Sequence, residues 1–126
     1  MDGKLKPIRV LIVGCGNMGT SHAIAYQSLE GFEICGIVSR GDSKNILNEK
    51  LGGNYPLFNE LEALTATKPD AVCISTYPDT HERMAIKALE FGCHVFIESI
   101  LFVFHHSSFY VLSTKQDRRC NDLGNR

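Results

Sequence analysis

Three glycines, Gly14, Gly16 and Gly19, stand at the spacing G-x-G-x-x-G between the apolar run Ile8–Val13 and a segment that turns at once amphipathic. The chemistry open to that pattern is main-chain capture of a diphosphate. Gly14 permits a tight turn, Gly16 lets the backbone approach a pyrophosphate with no side chain between, and Gly19 lets the following helix lie close to the strand. Amides at the helix start then donate to phosphate oxygens. The plainer alternative is a strand-to-helix turn that binds nothing; the strand before and the helix after favour the dinucleotide reading. Cys15, between two of the glycines, reads as a spacer rather than as a reactive thiol, although helix starts lower thiol pKa values.

About twenty residues beyond the glycines, an NAD-preferring site has an acid that closes the second strand and accepts from the ribose hydroxyls. Here that place reads "IVSRGDS". Ser39 and Arg40 offer a hydroxyl and a guanidinium, and arginine pairs readily with phosphate, which favours the 2′-phosphate of NADP over NAD. The alternatives are an exposed loop arginine at Arg40 and a ribose contact from Asp42. Further on, "ISTYPDTHERMAIKALEFGCHVFIES" carries His81 and Glu98 to the carboxyl edge of the sheet, beside the cofactor crevice. His81 reads equally as a functional group and as a first-turn histidine satisfied by nearby backbone. No metal site is read.

The elements that must position these residues are strands at Ile8 to Val13, Glu33 to Val38, Tyr55 to Phe58, Ala71 to Ser75 and His94 to Ile97. Four segments with helical spacing separate them, the signature of strand-helix units and a parallel sheet buried on both faces. The first helix, from about Met18 to Leu29, ends at Gly31; the second is capped by Asp42 or Ser43 and stops at Gly52-Gly53. Asn59 with Glu62, and Asp79 with Glu82, have the spacing of reciprocal caps. In the fourth helix His81, Met84, Ala85, Ala88 and Leu89 share the face that packs on the sheet. The fold class is α/β, a Rossmann-type doubly wound parallel sheet ordered 3-2-1-4-5. After Glu98 the pattern breaks down, and the remainder has no place in that scheme.

With 126 residues and 44% hydrophobic content, the chain has material for one ordinary domain. A net charge of -1 supplies no overall basic field, so neither nucleic acid nor an anionic membrane is an expected partner. Five cysteines without C-x-x-C spacing, three of them inside apolar runs, point to a reducing cytoplasm. No run approaches the roughly 18 apolar residues that span a bilayer.

The segments "VGCGNMGTSHAIAY" and "KPDAVCISTYPDTHERMAIKALEFGCHVFIE", with their separation, resemble the glucose-fructose oxidoreductase / inositol dehydrogenase (Gfo/Idh/MocA) family from about Ile8 to Glu98. The second segment is close to the family's A-T-P-[NP]-x-x-H-x-x-x-A-x-x-A-L-x-x-G-x-H-V-x-x-E-K-P. The resemblance implies Gly14, Gly16, Asn17 and Met18 at the pyrophosphate, Ser39 and Arg40 at the adenosine ribose, Thr76 and His81 along the nicotinamide side, and Glu98 near the nicotinamide ribose. Tyr77 replaces the family's proline against the nicotinamide. Ser99 and Ile100 replace the Lys-Pro of E-K-P, and serine cannot take over that lysine's task of polarising or protonating the reacting oxygen. No catalytic residue is therefore assigned, with His81 held as a candidate.

Members of the family bind NAD(P) in such a domain and hold a sugar, polyol or related substrate in a second, mostly antiparallel one. That substrate domain is missing from this sequence. The expectation is an NAD(P)-binding domain over residues 1–98 and an atypical tail over 99–126, displaced from the ancestral frame by frameshift, altered splicing or truncation and inactive alone. Substrate then enters only where a second domain is supplied, and homo-oligomerisation is left open. A non-catalytic nucleotide-binding or interaction module is the alternative; a non-functional fragment with uncovered apolar residues Ile100 to Phe104 is a third.

Overall fold

Ile8–Val13 (β1) starts exposed and is fully buried over its last four residues, as a strand covered on both faces must be. The computed structural model describes residues 6–76, 78–101 and 106–112, the side chains of 17, 18, 78–81, 98–101 and 106–112 standing outside that description. After β1 come α1 (Asn17–Ser28), β2 (Phe32–Val38), α2 (Ser43–Lys50), β3 (Leu57–Phe58), α3 (Glu62–Thr67), β4 (Ala71–Ile74), α4 (Pro78–Glu90), β5 (His94–Leu101) and β6 (His106–Leu112). The strands form one sheet ordered β3-β2-β1-β4-β5-β6. The first five are parallel, in the expected doubly wound order.

The two-residue period of β1 divides the core. Leu11 and Val13 face one cluster with Val72 and Ile74, covered by Ala63 and Leu64 of α3 and Met84, Ala85 and Ala88 of α4. Val10 and Ile12 face the other with Ala71 and Cys73, covered by Ala23 of α1 and Leu47 of α2. The predicted inner face of α4 is thus the buried one as far as Met84, Ala85 and Ala88; Glu82, Arg83, Lys87 and Glu90 are exposed. In β2 strict alternation fails. The pairing with β1 slips between Val10 and Leu11, so Ile34 and Ile37, three apart, share a face while Cys35 and Val38 take the other. Gly36 sits at the slip, where a Cβ would come within 3.0 Å of the Phe58 ring.

Several boundaries differ from the sequence reading for local reasons. β3 is confined to Leu57–Phe58: the Tyr55 amide is taken by the Asn48 side chain at 3.1 Å, and Pro56 has no N–H to give. Neither Asp42 nor Ser43 caps α2 through its side chain. The Asp42 carbonyl accepts from the Asn45 and Ile46 amides, and the Ser43 hydroxyl turns to Ser39 instead. Of the Asn59/Glu62 pair only half forms: Glu62 Oε1 accepts from the Asn59 and Glu60 amides, but no side chain caps the start of α3. Asp79, the partner expected for Glu82, lies outside the described side chains.

The segment that the sequence pattern left unplaced is partly in the sheet. β5 continues through Glu98 to Leu101, and β6 pairs antiparallel with it, Val95 opposite Leu112 and Leu101 opposite His106. Residues 102–105 and 113–126, which include Cys120, lie outside the described residues. Among the described residues no helix is long and apolar enough to cross a membrane.

Ile12 is fully buried, whereas Ile86 on α4 is 48% exposed. Ile12→Ala is expected to lower stability by about 2–5 kcal/mol and Ile86→Ala by about 0.5 kcal/mol or less, read by urea unfolding.

Candidate dinucleotide-binding site

The carboxyl ends of β2, β1 and β4 lie side by side, and the chain leaves β1 and β4 toward helices on opposite faces; the crevice between those exits is where ligands enter such sheets. The Gly14 amide donates to the Val38 carbonyl at 3.0 Å, and the Ser75 amide to the Val13 carbonyl at 2.9 Å, so the glycine loop is tied to both neighbours. Gly14, Gly16, Ser39, Ser75 and Thr76 are thereby brought together.

The three glycines have separable reasons. Gly14 has φ +95°, and a Cβ there would come within 2.6 Å of the Ser75 carbonyl oxygen. At Gly19, which is buried, a Cβ would fall on the Gly14 carbonyl, so α1 can rest on the loop only without one. Gly16 is different. It is exposed, its φ of -75° suits any residue, and a Cβ would meet no atom within 4 Å. Nothing inside the chain requires glycine there.

Gly16 is also the N-cap of α1, with no side-chain hydrogen bond to the first turn and no acidic residue in it. A helix of twelve residues thus presents uncapped amides and the positive end of its dipole at an open surface. Such an end takes a phosphate oxygen. Beside the loop, the Ser75 hydroxyl is buried without a hydrogen-bond partner, and Thr76 Oγ1 lies 3.9 Å from Met84 Sδ, where α4 packs over the end of β4. An open cradle at Gly16, amides with no side-chain cap and an orphaned hydroxyl fit a dinucleotide laid across the loop.

At the expected adenosine side, the Ser39 amide donates to the Phe58 carbonyl at 3.1 Å, fixing the end of β2 to β3. Its hydroxyl is 2.8 Å from Ser43 Oγ and accepts from the Gly41 amide at 3.3 Å. Arg40 is exposed, and its Nε donates to Glu60 Oε1 at 2.7 Å. Lys44 anchors on the Gly41 carbonyl at 2.7 Å. The sequence reading missed Ser43, Lys44 and Glu60. The first two were open to detection, since "SRGDSK" repeats a hydroxyl and a cation within one turn; Glu60 was not, because only the lateral pairing of β3 with β2 brings it to Arg40.

Cys15 is half-buried and its Sγ is 3.7 Å from the Val38 carbonyl. Burial pushes this thiol up to about 11, against smaller opposing effects of the Ser39 hydrogen bond and the Lys44 charge. This environment supports the spacer reading of Cys15: desolvation outweighs the helix start. Tyr77 and the side chains of Asn17, Met18, His81 and Glu98 lie outside the described residues, with the backbones of Asn17 and Met18 in the first turn of α1, His81 in α4 and Glu98 in β5.

Gly16→Val should leave the melting temperature within a few degrees of wild type while nucleotide binding is lost, whereas Gly19→Ala should unfold the loop and lower the melting point sharply. At pH 8 Cys15 should be alkylated about 100-fold more slowly than a free model thiol, because the thiolate fraction falls with the raised pKa. As the folded state holds this proton more tightly than the unfolded chain, whose thiol titrates near 9.0, the contribution to stability is present below pH 9 and lost toward pH 11. Denaturant melts across that range, compared with Cys15→Ala, read the difference.

Comparison with known proteins agrees with this fold. The chain is 35% identical over 95 residues to D-glucoside 3-dehydrogenase of Escherichia coli (strain K12), covering 73% of this chain and 27% of that protein. It is 31% identical over 126 residues to glycosyl hydrolase family 109 protein 2 of Akkermansia muciniphila, covering 92% of this chain and 27% of that one. The chain thus spans about a quarter of the length of these relatives. Among solved structures, apo scyllo-inositol dehydrogenase from Lactobacillus casei superposes with a TM-score of 0.66 at 26% identity, over 73% of this chain and 28% of that one. Residues 8–99 match the family model described as an oxidoreductase family with an NAD-binding Rossmann fold, and the chain belongs to that family, Gfo/Idh/MocA.

Proposed function

We propose that this chain is the NAD(P)-binding part of an oxidoreductase that transfers hydride to or from a sugar, polyol or related substrate. One observation carries the proposal: Gly16 is exposed and free of neighbours, in a conformation any residue could adopt, at the uncapped start of α1. A glycine that neither packing nor conformation demands is explained by a ligand whose diphosphate comes within contact of the main chain. The carbohydrate class is supported by the relatives, a glucoside dehydrogenase, a glycosyl hydrolase family 109 protein and an inositol dehydrogenase.

In this reading the loop Gly14–Met18 holds the pyrophosphate through main-chain N–H groups, while Ser39 and Arg40, with Lys44 behind them, take the adenosine ribose. Thr76, Tyr77, His81 and Glu98 border the nicotinamide half. The cofactor supplies the hydride acceptor or donor. NADP is favoured over NAD, on the strength of the cations Arg40 and Lys44 beside the ribose position and the lack of an acid closing β2. A reducing compartment, the cytoplasm, suits the buried, unbridged cysteines Cys35, Cys73 and Cys93.

The chain alone is proposed to bind without turning over, because Ser99 stands where the family carries its oxygen-polarising lysine. That same substitution favours the second reading, a nucleotide-binding module with no catalysis even when a substrate-binding part is supplied. Calorimetry with NADPH and NADH should show binding of both, with Arg40→Ala weakening NADPH more than NADH. Equal losses would remove the preference for NADP, and no binding of either by folded protein would remove the assignment. Hydride transfer over a panel of sugars and polyols should be undetectable with Ser99 present. Turnover by the chain itself, or its gain on adding a family substrate domain in trans, would exclude the non-catalytic reading.

A further inference from the structure

We infer that Glu60 is a specificity-determining residue of the adenosine-ribose pocket, supplying from the end of β3 the carboxylate that an NAD site ordinarily carries at the end of β2. The inference rests on the proposed dinucleotide site and goes beyond it. Its ground is a juxtaposition: Glu60 Oε1 lies 2.7 Å from Arg40 Nε, and the two residues stand at the adjacent carboxyl ends of β2 and β3. The turn is fixed from both sides. Ser39 N–H binds the Phe58 carbonyl, and the Glu60 amide is held by Glu62 Oε1 at 3.2 Å.

Contact through Nε leaves the Nη pair of Arg40 to meet a ligand, so any phosphate on that fork sits across one guanidinium from the carboxylate. That separation, on the order of 7 Å, is within the Debye length of about 8 Å at physiological salt. Repulsion of a 2′-phosphate is therefore felt, and the positive charge that Arg40 offers it is partly cancelled. A 2′-hydroxyl meets no such penalty and can donate to the carboxylate. The side chains of Arg40 and Glu60 are 68% and 43% exposed, so the ion pair itself holds the fold only weakly and Glu60 can be replaced without loss of structure. Glu60 thus acts as a repulsive element against NADP, set against the attraction of Arg40, and brings the two cofactors closer in affinity.

Calorimetry of NADPH and NADH against wild type, Glu60→Gln and Glu60→Lys tests this, with thermal melts as the check on folding. Glu60→Gln should raise the preference for NADPH over NADH about fivefold at low ionic strength, Glu60→Lys further, and the effect should shrink as salt is added. An unchanged ratio, or a ratio shifted toward NADH, overturns the inference while leaving the site intact. Absence of binding of both nucleotides to wild type overturns the site and this inference with it.

Discussion

The tightest constraint at the described glycines is the seat of α1 on the loop that follows β1. The Gly14 carbonyl lies where a side chain at position 19 would begin, and the Ser75 carbonyl lies where one at position 14 would begin. Two missing Cβ atoms therefore let a helix, a loop and the end of a neighbouring strand occupy a space too narrow for any other residues. Because the helix is drawn in so far, its first amides emerge at the loop itself, and the third glycine, Gly16, is left facing outward. The binding surface is a by-product of close packing: the same approach that buries Gly19 exposes the N–H groups that a phosphate would take.

That approach requires a rigid sheet beneath it. β1 is central, with β2 on one side and β4 on the other, and its alternate residues feed two separate apolar clusters. Each cluster is closed by two helices, α1 and α2 on one face, α3 and α4 on the other, so β4 and the last four residues of β1 are denied to water. Burial of Leu11, Ile12, Val72 and Ile74, each worth about 1.5–3 kcal/mol, holds the strand ends in register. The register slip at Gly36 matters here as well, since it sets the phase in which β2 delivers Val38 and Ser39 to the crevice.

The proposed ribose side is governed by charge rather than by packing. Arg40, Lys44 and Glu60 are all held by contacts within two adjacent turns, and none of them is deeply buried. Contributions of such exposed pairs to folding are about 0.2–1 kcal/mol. Their balance counts for much more when a ligand brings two further negative charges into the same turn. Cys15, whose thiol meets the Ser39 side chain, shows the opposite regime: it is governed by desolvation, and the Lys44 charge only moderates the effect.

Read from residues alone, the glycine spacing, the two-residue period of the strands and the helical stripe of α4 were enough for the class of fold, the strand order and the place of the loop. Each of these is written in local periodicity or in a conformation few residues tolerate. The signals that failed were those with a lateral partner. β3 lost Tyr55 to the Asn48 side chain, Ser43 gave up its cap for Ser39, and β6 took shape against β5 where the apolar pattern had lost its period. Edge pairing draws on backbone hydrogen bonds that any sequence can make, so a weak pattern conceals it. Among the candidate site residues, Gly14, Gly16, Gly19, Ser39 and Arg40 could each be named from the sequence one by one. Only the tertiary structure separated the glycines that packing demands from the one it does not, and only it set a carboxylate from the third strand beside the arginine of the second, because spacing along a chain carries no record of distance across a sheet.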